Sequence, residues 1–534
     1  MEHRVWYRRR PVLVVCALVL AVVATVTIVR LGDQQYNHAQ TPRVGSSAAT
    51  SAPPARAPQT PPAKVCGNVA VLAGPASAPA GAVTVSTTQQ LDDLTRTNPS
   101  GTTFWLAPGV HVLGAGEFSQ VNPKDGNTYI GAPGAILDGA RENRYAFTGY
   151  GINVTVKNLT IQNFGGRGTH SDEGVVNHDS ATGWVVAHNT IQNNTGAGVM
   201  VGSRNVLRGN CLTHNGQYGF NSYNPHNVSD ITLDGNEISE NNTDDWEAVR
   251  PGCGCTGGGK FWKTSKGVVK NNWVHDNKGV GLWVDTNSVG FLFENNYLSD
   301  NSAQGIIYET SYNAMIRGNT FVRNGWEAGP RVQGFPTGAL YVSESGSDSR
   351  VPGPYNQTFE ITENLFIDNW SGVILWENAD RFSGSPANTS THANTLVNPT
   401  VTAGSCTELN LHKEPYKDDC RWKTKNVRVH DNLFSLDPDK MAGNCRAQTG
   451  CGYNALFSNW GTYPAWKNSP YHKDAIQNWI TFKQGNRFYS NTYAGPWRFV
   501  VHGQGNSVSW ATWQGAPYGQ DKDSVVKIIT PGGR

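Results

Sequence analysis

A six-residue pattern, Asn followed by four residues and a second Asn, recurs along most of this chain and constrains its fold more than any other feature. It runs NLTIQN at Asn158, NTIQNN at Asn189, NCLTHN at Asn210, NEISEN at Asn236, NWVHDN at Asn272, NYLSDN at Asn296, NTFVRN at Asn319 and NLFIDN at Asn364. NLFSLD at Asn432 and NRFYSN at Asn486 continue it. The short intervals, 21 residues from Asn189 to Asn210, 24 from Asn272 to Asn296 and 23 from Asn296 to Asn319, suit one turn of a solenoid, and longer gaps read as turns with inserted loops.

Between successive Asn pairs lies a second apolar segment that opens with Gly: GVMV at 198, GFNS at 219, GLWV at 281, GIIY at 305, GALY at 338 and GVIL at 372. Short strands with no helical stretch between them cannot form a βαβ layer or bury a face alone, whereas stacked turns can. Successive coils are expected about 4.8 Å apart with Val, Ile, Leu and Phe inside. The repeated Asn is expected to adopt the left-handed backbone of a sharp turn and to hydrogen-bond its copy one coil away. Composition agrees: 59 Gly in 534 residues and only 16% charged residues exclude a charged coiled coil or an all-helical domain. A net charge of +2 is too small to draw the chain to nucleic acid, so no nucleic-acid partner is expected.

Over roughly residues 83–437 this pattern resembles the right-handed parallel β-helix, or pectate-lyase-like, superfamily. The resemblance implies an all-β solenoid, assigned here to residues 82–440. Ser86-Thr-Thr-Gln89 has capping-box spacing ahead of Leu91 and Leu94, predicting a short amphipathic helix that plugs the N-terminal end. Residues 441–534, with Trp460, Trp466, Trp479, Trp497, Trp510 and Trp513, read as final coils and a terminal cap.

The first thirty residues are a separate element. Arg4, Arg8, Arg9 and Arg10 precede an apolar run over residues 11–29, closed by Arg30. Without a clear small-x-small cleavage site the run reads as an uncleaved single-pass anchor, its basic flank held in the cytoplasm and all later residues outside; cleavage would make the protein secreted. Residues 31–81 read as a linker, because 18 of the 24 positions in 41–64 are Ala, Pro, Ser or Thr and cannot build a core. Apart from Cys16 in the apolar run, eight cysteines remain of the nine, an even number that suits disulfides outside the cell. Cys406/Cys420 and Cys445/Cys451 are close enough to be local staples. Cys253-Gly-Cys255 lacks the second ligand pair of a zinc site.

Function must come from the outward face, because one solenoid serves many chemistries. In GLWVDTN, alternation that buries Leu282 and Val284 turns Trp283 and Asp285 outward, and in GIIYETS the same register turns Ile307 and Glu309 outward. Asp285 and Glu309 are thus predicted at the same position of adjacent coils, about 5 Å apart, where one carboxyl should keep its proton to higher pH. That separation suits a retaining glycosidase, whose two carboxyls lie roughly 5–5.5 Å apart. The segment 281–321 also resembles β-helix glycoside hydrolases of the β-xylosidase type. The resemblance implies Asp285 as nucleophile and Glu309 as general acid/base, although Thr286 stands where an aromatic is expected and Tyr312 where His is expected.

Trp283 and Trp262 are candidates for stacking on a sugar. Lys260 and Lys263, one coil earlier, are candidates for keeping Asp285 ionised, and Glu377, two coils beyond Glu309, for binding a hydroxyl or replacing Asp285 in an inverting pair. His170, Asp172, Glu173, His178 and Asp179 read as turn residues rather than metal ligands. No cofactor or metal is implied, and a monomer acting on an oligo- or polysaccharide is expected. A polysaccharide lyase or uronate epimerase is the alternative: Tyr218-Gly-Phe with Asn224-Pro-His226 is similar to a mannuronate-epimerase motif but interrupted, and Lys260 is similar to a pectate-lyase base. Lys278, Gly279 and Val280 stand where calcium ligands would be needed. Asn242-Thr-Asp-Asp245 is similar to a polygalacturonase element but has no downstream counterpart. A non-catalytic glycan-binding or cell-wall protein is the remaining reading.

Overall fold

The computed structural model describes Ala57 and residues 60–527 except 115, 117–118, 166–173, 225–226, 252, 332–335, 352–356, 378–397, 399, 411, 421, 438, 440–444, 446–450, 459–472 and 504. Residues 54–534 form one compact unit. The basic flank, the apolar run and the linker through residue 56 lie outside the described residues, as do His170, Asp172, Glu173 and His226. Among the described residues no helix is long and apolar enough to cross a membrane.

From Thr155–Lys157 onward each coil contributes one strand to each of three sheets, whereas the earlier coils supply only the first two. In the middle of the solenoid Val268–Lys270 belongs to the first sheet, Trp273–His275 to the second and Val280–Asp285 to the third. The next coil repeats the order with Val289–Glu294, Tyr297–Ser299 and Ile306–Glu309. Pairing is parallel throughout except where Ser507–Val508 closes the third sheet antiparallel to Arg498–Val501. This is a right-handed parallel β-helix. Its coils run past residue 440: Arg487–Tyr489, Thr492–Ala494 and Arg498–Val501 form one further complete turn.

In the second sheet, from Thr160–Gln162 to Thr492–Ala494, one apolar residue per strand points inward and stacks on its copy in the next coil, whereas longer strands such as Val289–Glu294 bury two. In the second sheet Phe321, Phe366, Phe434 and Tyr493 form an aromatic column with ring centroids 4.6–5.0 Å apart. All four are fully buried. At the N-terminal end the helix Leu91–Thr97 buries Leu91 and packs Leu94 on the core. The predicted capping box is displaced: Gln89 Oε1 accepts from the Ser86 amide, closing a turn before the helix, and Gln90 is the N-cap. At the other end the helix Trp510–Gln514 buries Trp513, whose indole donates to Asp521 at 2.6 Å. Burial raises the Asp521 pKa despite four hydrogen bonds.

Two Asn ladders flank the second sheet. Side-chain amides of Asn189, Asn210, Asn236, Asn272, Asn296, Asn319, Asn364, Asn432 and Asn491 hydrogen-bond from coil to coil at 2.9–3.2 Å. A second ladder links Asn194, Asn215, Asn241, Asn277, Asn301, Asn324 and Asn369. The expected left-handed backbone belongs to a different residue. It falls on the position just before each ladder Asn, as at His188, Gly209, Asn271 and Asn295, so the Asn side chain bonds while its neighbour turns the chain. The repeat is also shifted at both ends: Leu159 occupies the ladder position in NLTIQN, and Asn491 rather than Asn486 occupies it in NRFYSN.

Cys406–Cys420 and Cys445–Cys451 pair as expected, and Cys66–Cys211 and Cys253–Cys255 complete the set. Cys66–Cys211 ties an N-terminal strap to the second sheet, where the Val65 and Cys66 amides both donate to the buried Glu237 carboxylate.

Candidate active site

The third sheet carries the outward residues singled out in the sequence. Its strands Gly257–Trp262, Val280–Asp285 and Ile306–Glu309 alternate as expected, with Phe261, Val284 and Tyr308 fully buried inside. Lys260 pairs with Trp283 and Trp262 with Asp285; one coil on, Trp283 pairs with Ile307 and Val284 with Tyr308. Continuing that register sets Asp285 beside Glu309, which in turn pairs with Ser343. Neighbouring strands in a sheet lie about 4.8 Å apart, so the two acids share one column on the outer face.

The two carboxyls have different surroundings. Asp285 Oδ2 forms an ion pair with Lys260 Nζ at 2.8 Å, and Oδ1 accepts from the Thr286 amide at 2.7 Å and the Thr286 hydroxyl at 2.8 Å. Thr310, in the same position one coil later, donates its hydroxyl to that of Thr286 at 3.1 Å. Glu309 is only 2% exposed, and its Oε1 accepts from the Trp283 indole at 3.1 Å. Trp283 also lies under Lys260, whose ammonium is 4.1 Å from the ring centroid. One lysine and one indole therefore connect the two acids.

The Lys260 ammonium makes a further bond, to the Gly254 carbonyl at 2.7 Å. Gly254 has φ of +59° and packs so closely on Trp283 that a Cβ there would lie 2.7 Å from the indole. Only glycine fits this approach.

The remaining candidates separate. Trp262 packs against Tyr223 with centroids 4.8 Å apart and the rings tilted by 32°. Lys263, at φ +47°, follows the end of the strand and lays its ammonium 4.5 Å over the Trp262 ring, so it supports that aromatic rather than Asp285. Glu377 does not present an open carboxylate: it is 1% exposed, and Oε2 accepts from the Thr424 amide at 2.9 Å and from Gln484 at 2.6 Å. It braces the segments that follow it, which argues against a role with substrate. Tyr312 is buried against Trp422, with centroids 5.3 Å apart. Among the described residues no group of three His, Cys, Asp or Glu could hold a metal ion.

Sequence reasoning noted Thr286 only as a departure from an expected aromatic and passed over Thr310, although the repeated acid-Thr pair in VDTN and YETS was a visible signal. Tyr223 and the Gly254 carbonyl had none. Among the described residues two clefts reach the neighbours of the acids, although neither is lined by Asp285 or Glu309 itself. The larger, about 730 Å³, reaches Lys260 and Trp262 from the preceding coils, and the smaller, about 400 Å³, is bordered by Trp283, Ile307, Lys278 and Arg331.

The family described as "Right handed beta helix region" matches residues 173–353, a span that contains both acids. No curated protein matches the chain by sequence. Among solved structures, the chain is similar to the catalytic unit of the GH87 alpha-1,3-glucanase of Streptomyces thermodiastaticus (14% identity, 86% of this chain and 70% of that one, TM-score 0.47). It is also similar to XylC in complex with xylose (11% identity, 84% and 86%, TM-score 0.49). A third is the mannuronan C-5 epimerase AlgE4 A-module of Azotobacter vinelandii (10% identity, 83% and 92%, TM-score 0.38).

Proposed function

We propose that this chain is a glycoside hydrolase acting on an oligo- or polysaccharide with retention of configuration, Asp285 serving as nucleophile and Glu309 as general acid and base. The observation that carries this reading is the stacking of the two acids in register on adjacent coils, one paired with Lys260 and the other bonded by Trp283. Retaining hydrolysis needs one carboxylate to attack the anomeric carbon and one carboxylic acid to protonate the departing oxygen. The contrast between Asp285, ion-paired to Lys260 and accepting two hydrogen bonds from Thr286, and a nearly dry Glu309 supports that division of labour.

In the first step Asp285 bonds to the anomeric carbon while the glycosidic C–O bond breaks, and Glu309 gives its proton to the leaving oxygen. In the second, Glu309 takes a proton from water, whose oxygen displaces Asp285 and frees the sugar. Lys260 and Thr286 keep Asp285 charged and aimed, and the Trp283 indole fixes the rotamer of Glu309. A lyase would need Lys260 as a free base, yet its ammonium is engaged by Asp285 and Gly254. Placement at the cell surface through the apolar run at residues 11–29, as a monomer, belongs to the same proposal.

On a glycan that the parent cleaves, Asp285→Asn and Glu309→Gln should each lower turnover roughly 10²–10⁴-fold. Full activity in both variants contradicts the assignment. An unsaturated uronate product, seen by its ultraviolet absorbance, would establish a lyase instead. Glycan binding without turnover over a broad panel would establish a binding protein.

A further inference from the structure

The outer face of the third sheet continues from Lys260 into the larger cleft, whose floor crosses three coils at Met200, Asn221 and Lys260. Three coils span about 10 Å along the axis, longer than one pyranose ring. Two features suit a sugar. Tyr223, 47% exposed, and Trp262 form a tilted aromatic pair on the cleft wall, the kind of surface on which the apolar face of a pyranose packs. Gln217 lines the same cleft, is 2% exposed, and its Oε1 has no hydrogen-bond partner among the described residues. A buried acceptor left unbonded is costly, so this oxygen is suited to a donor brought by a ligand.

The Lys and Asp side chains among the described lining residues are already engaged. Lys260 is the only Lys or Arg among the described lining residues, and it is held by Asp285 and the Gly254 carbonyl. Asp179 Oδ2 accepts from the Thr148 hydroxyl at 2.6 Å and the Gly149 amide at 2.5 Å. His178 stacks on Tyr145 with centroids 3.9 Å apart. Among the described lining residues a uronate would find no free lysine or arginine to pair with, and the Lys263 ammonium, which is not part of that lining, lies against the Trp262 ring.

We propose that this cleft binds uncharged sugar units of the substrate, with Tyr223 and Trp262 as the stacking platform and Gln217 accepting a hydroxyl. The inference rests on the glycosidase reading of the adjoining acids and narrows the substrate to neutral glycans.

The test uses the full chain carrying Glu309→Gln, which keeps the Lys260–Asp285 pair, on an array of neutral gluco-, xylo-, manno-, galacto- and arabino-oligosaccharides together with oligogalacturonates and oligomannuronates. Binding confined to neutral members is expected. Adding Trp262→Ala or Tyr223→Ala should weaken that binding about tenfold or more, and Gln217→Leu should weaken it in protein whose melting temperature is unchanged. Tighter binding of the uronate oligomers, indifference to both aromatic substitutions, or no binding to any neutral member overturns the proposal. The two readings fail separately. Neutral glycans that bind through Trp262 but are never cleaved by the parent would sink the hydrolase and leave the cleft. Cleavage of a neutral glycan whose binding ignores Trp262 and Tyr223 would do the reverse.

Discussion

The second and third sheets are built from the same coils, yet they differ in what repeats. Along the second sheet nearly every coil supplies the same three-residue strand between the same two Asn residues, and each amide bonds its copy. Along the third sheet the inward positions stay largely apolar while the outward columns change at every step, one from Asn221 to Lys260, Trp283, Ile307 and Tyr341 and the next from Trp262 to Asp285, Glu309 and Ser343. Repetition satisfies the buried backbone and fixes the spacing of the coils. Departure from repetition then places one lysine, one indole and two acids at that spacing. A substitution in the ladder should therefore change stability, and one in the outward columns should change chemistry.

The largest expected effect is on chemistry. Glu309→Gln should reduce kcat on a cleavable glycan roughly thousandfold, about 4 kcal/mol of barrier, with little change in melting temperature. Steady-state rates and thermal unfolding of one preparation give both numbers. Next comes the ladder. Asn272→Ala removes an acceptor for two Asn236 groups and a donor to Leu233 and Asn296. It should cost about 3 kcal/mol in urea unfolding while the protein that remains folded keeps its kcat. An unchanged midpoint would show that the ladder is not what stabilises the second sheet.

Thr286→Ala should lower kcat about tenfold through a less firmly held Asp285, and Thr286→Ser, which restores the hydroxyl, should recover most of it. The smallest effect is a pH dependence confined to the strap. Burial opposes ionisation of Glu237, but hydrogen bonds from His275 and from the Cys66 and Val65 amides outweigh it and hold its pKa below the ordinary 4.5. Burial likewise opposes the charge on His275, but hydrogen bonds to Glu237 and Asp276 outweigh it and hold its pKa above the ordinary 6.5. The Glu237 contribution is complete above its ordinary value and is lost as pH falls through the lowered one. The His275 contribution is complete below its ordinary value and is lost as pH rises through the raised one. Hydrogen-exchange protection of the Val65 and Cys66 amides, corrected for intrinsic rates, should therefore be greatest between about pH 4.5 and 6.5. Protection that keeps increasing above this window would contradict the linkage.

The stacked architecture was legible because its signal is local: an Asn pair and a Gly-led strand recur within each coil, and alternation fixes which face Asp285 and Glu309 occupy. The shifts at Leu159 and Asn491 were not legible, since only the pairing partner shows which residue of NLTIQN or NRFYSN stands on the ladder. Nor was the turn-forming role of the preceding residue, because His188, Gly209 and Asn271 share no side-chain chemistry, only positive φ. At the site, Lys260 could be placed beside Asp285 because one coil separates them. Glu377 could not be placed, because Gln484, 107 residues away, returns to bury its carboxylate. Cys66–Cys211, 145 residues apart, was hidden for the same reason.

The central claim is that Asp285 and Glu309 work together across adjacent coils as nucleophile and acid/base. It is tested most directly by the stereochemistry of the first product. Proton NMR of a glycan digest, read before mutarotation, should show the newly freed sugar with the anomeric configuration of the bond that was cut. Release of the opposite anomer would mean that water attacks directly and that Asp285 is not the nucleophile.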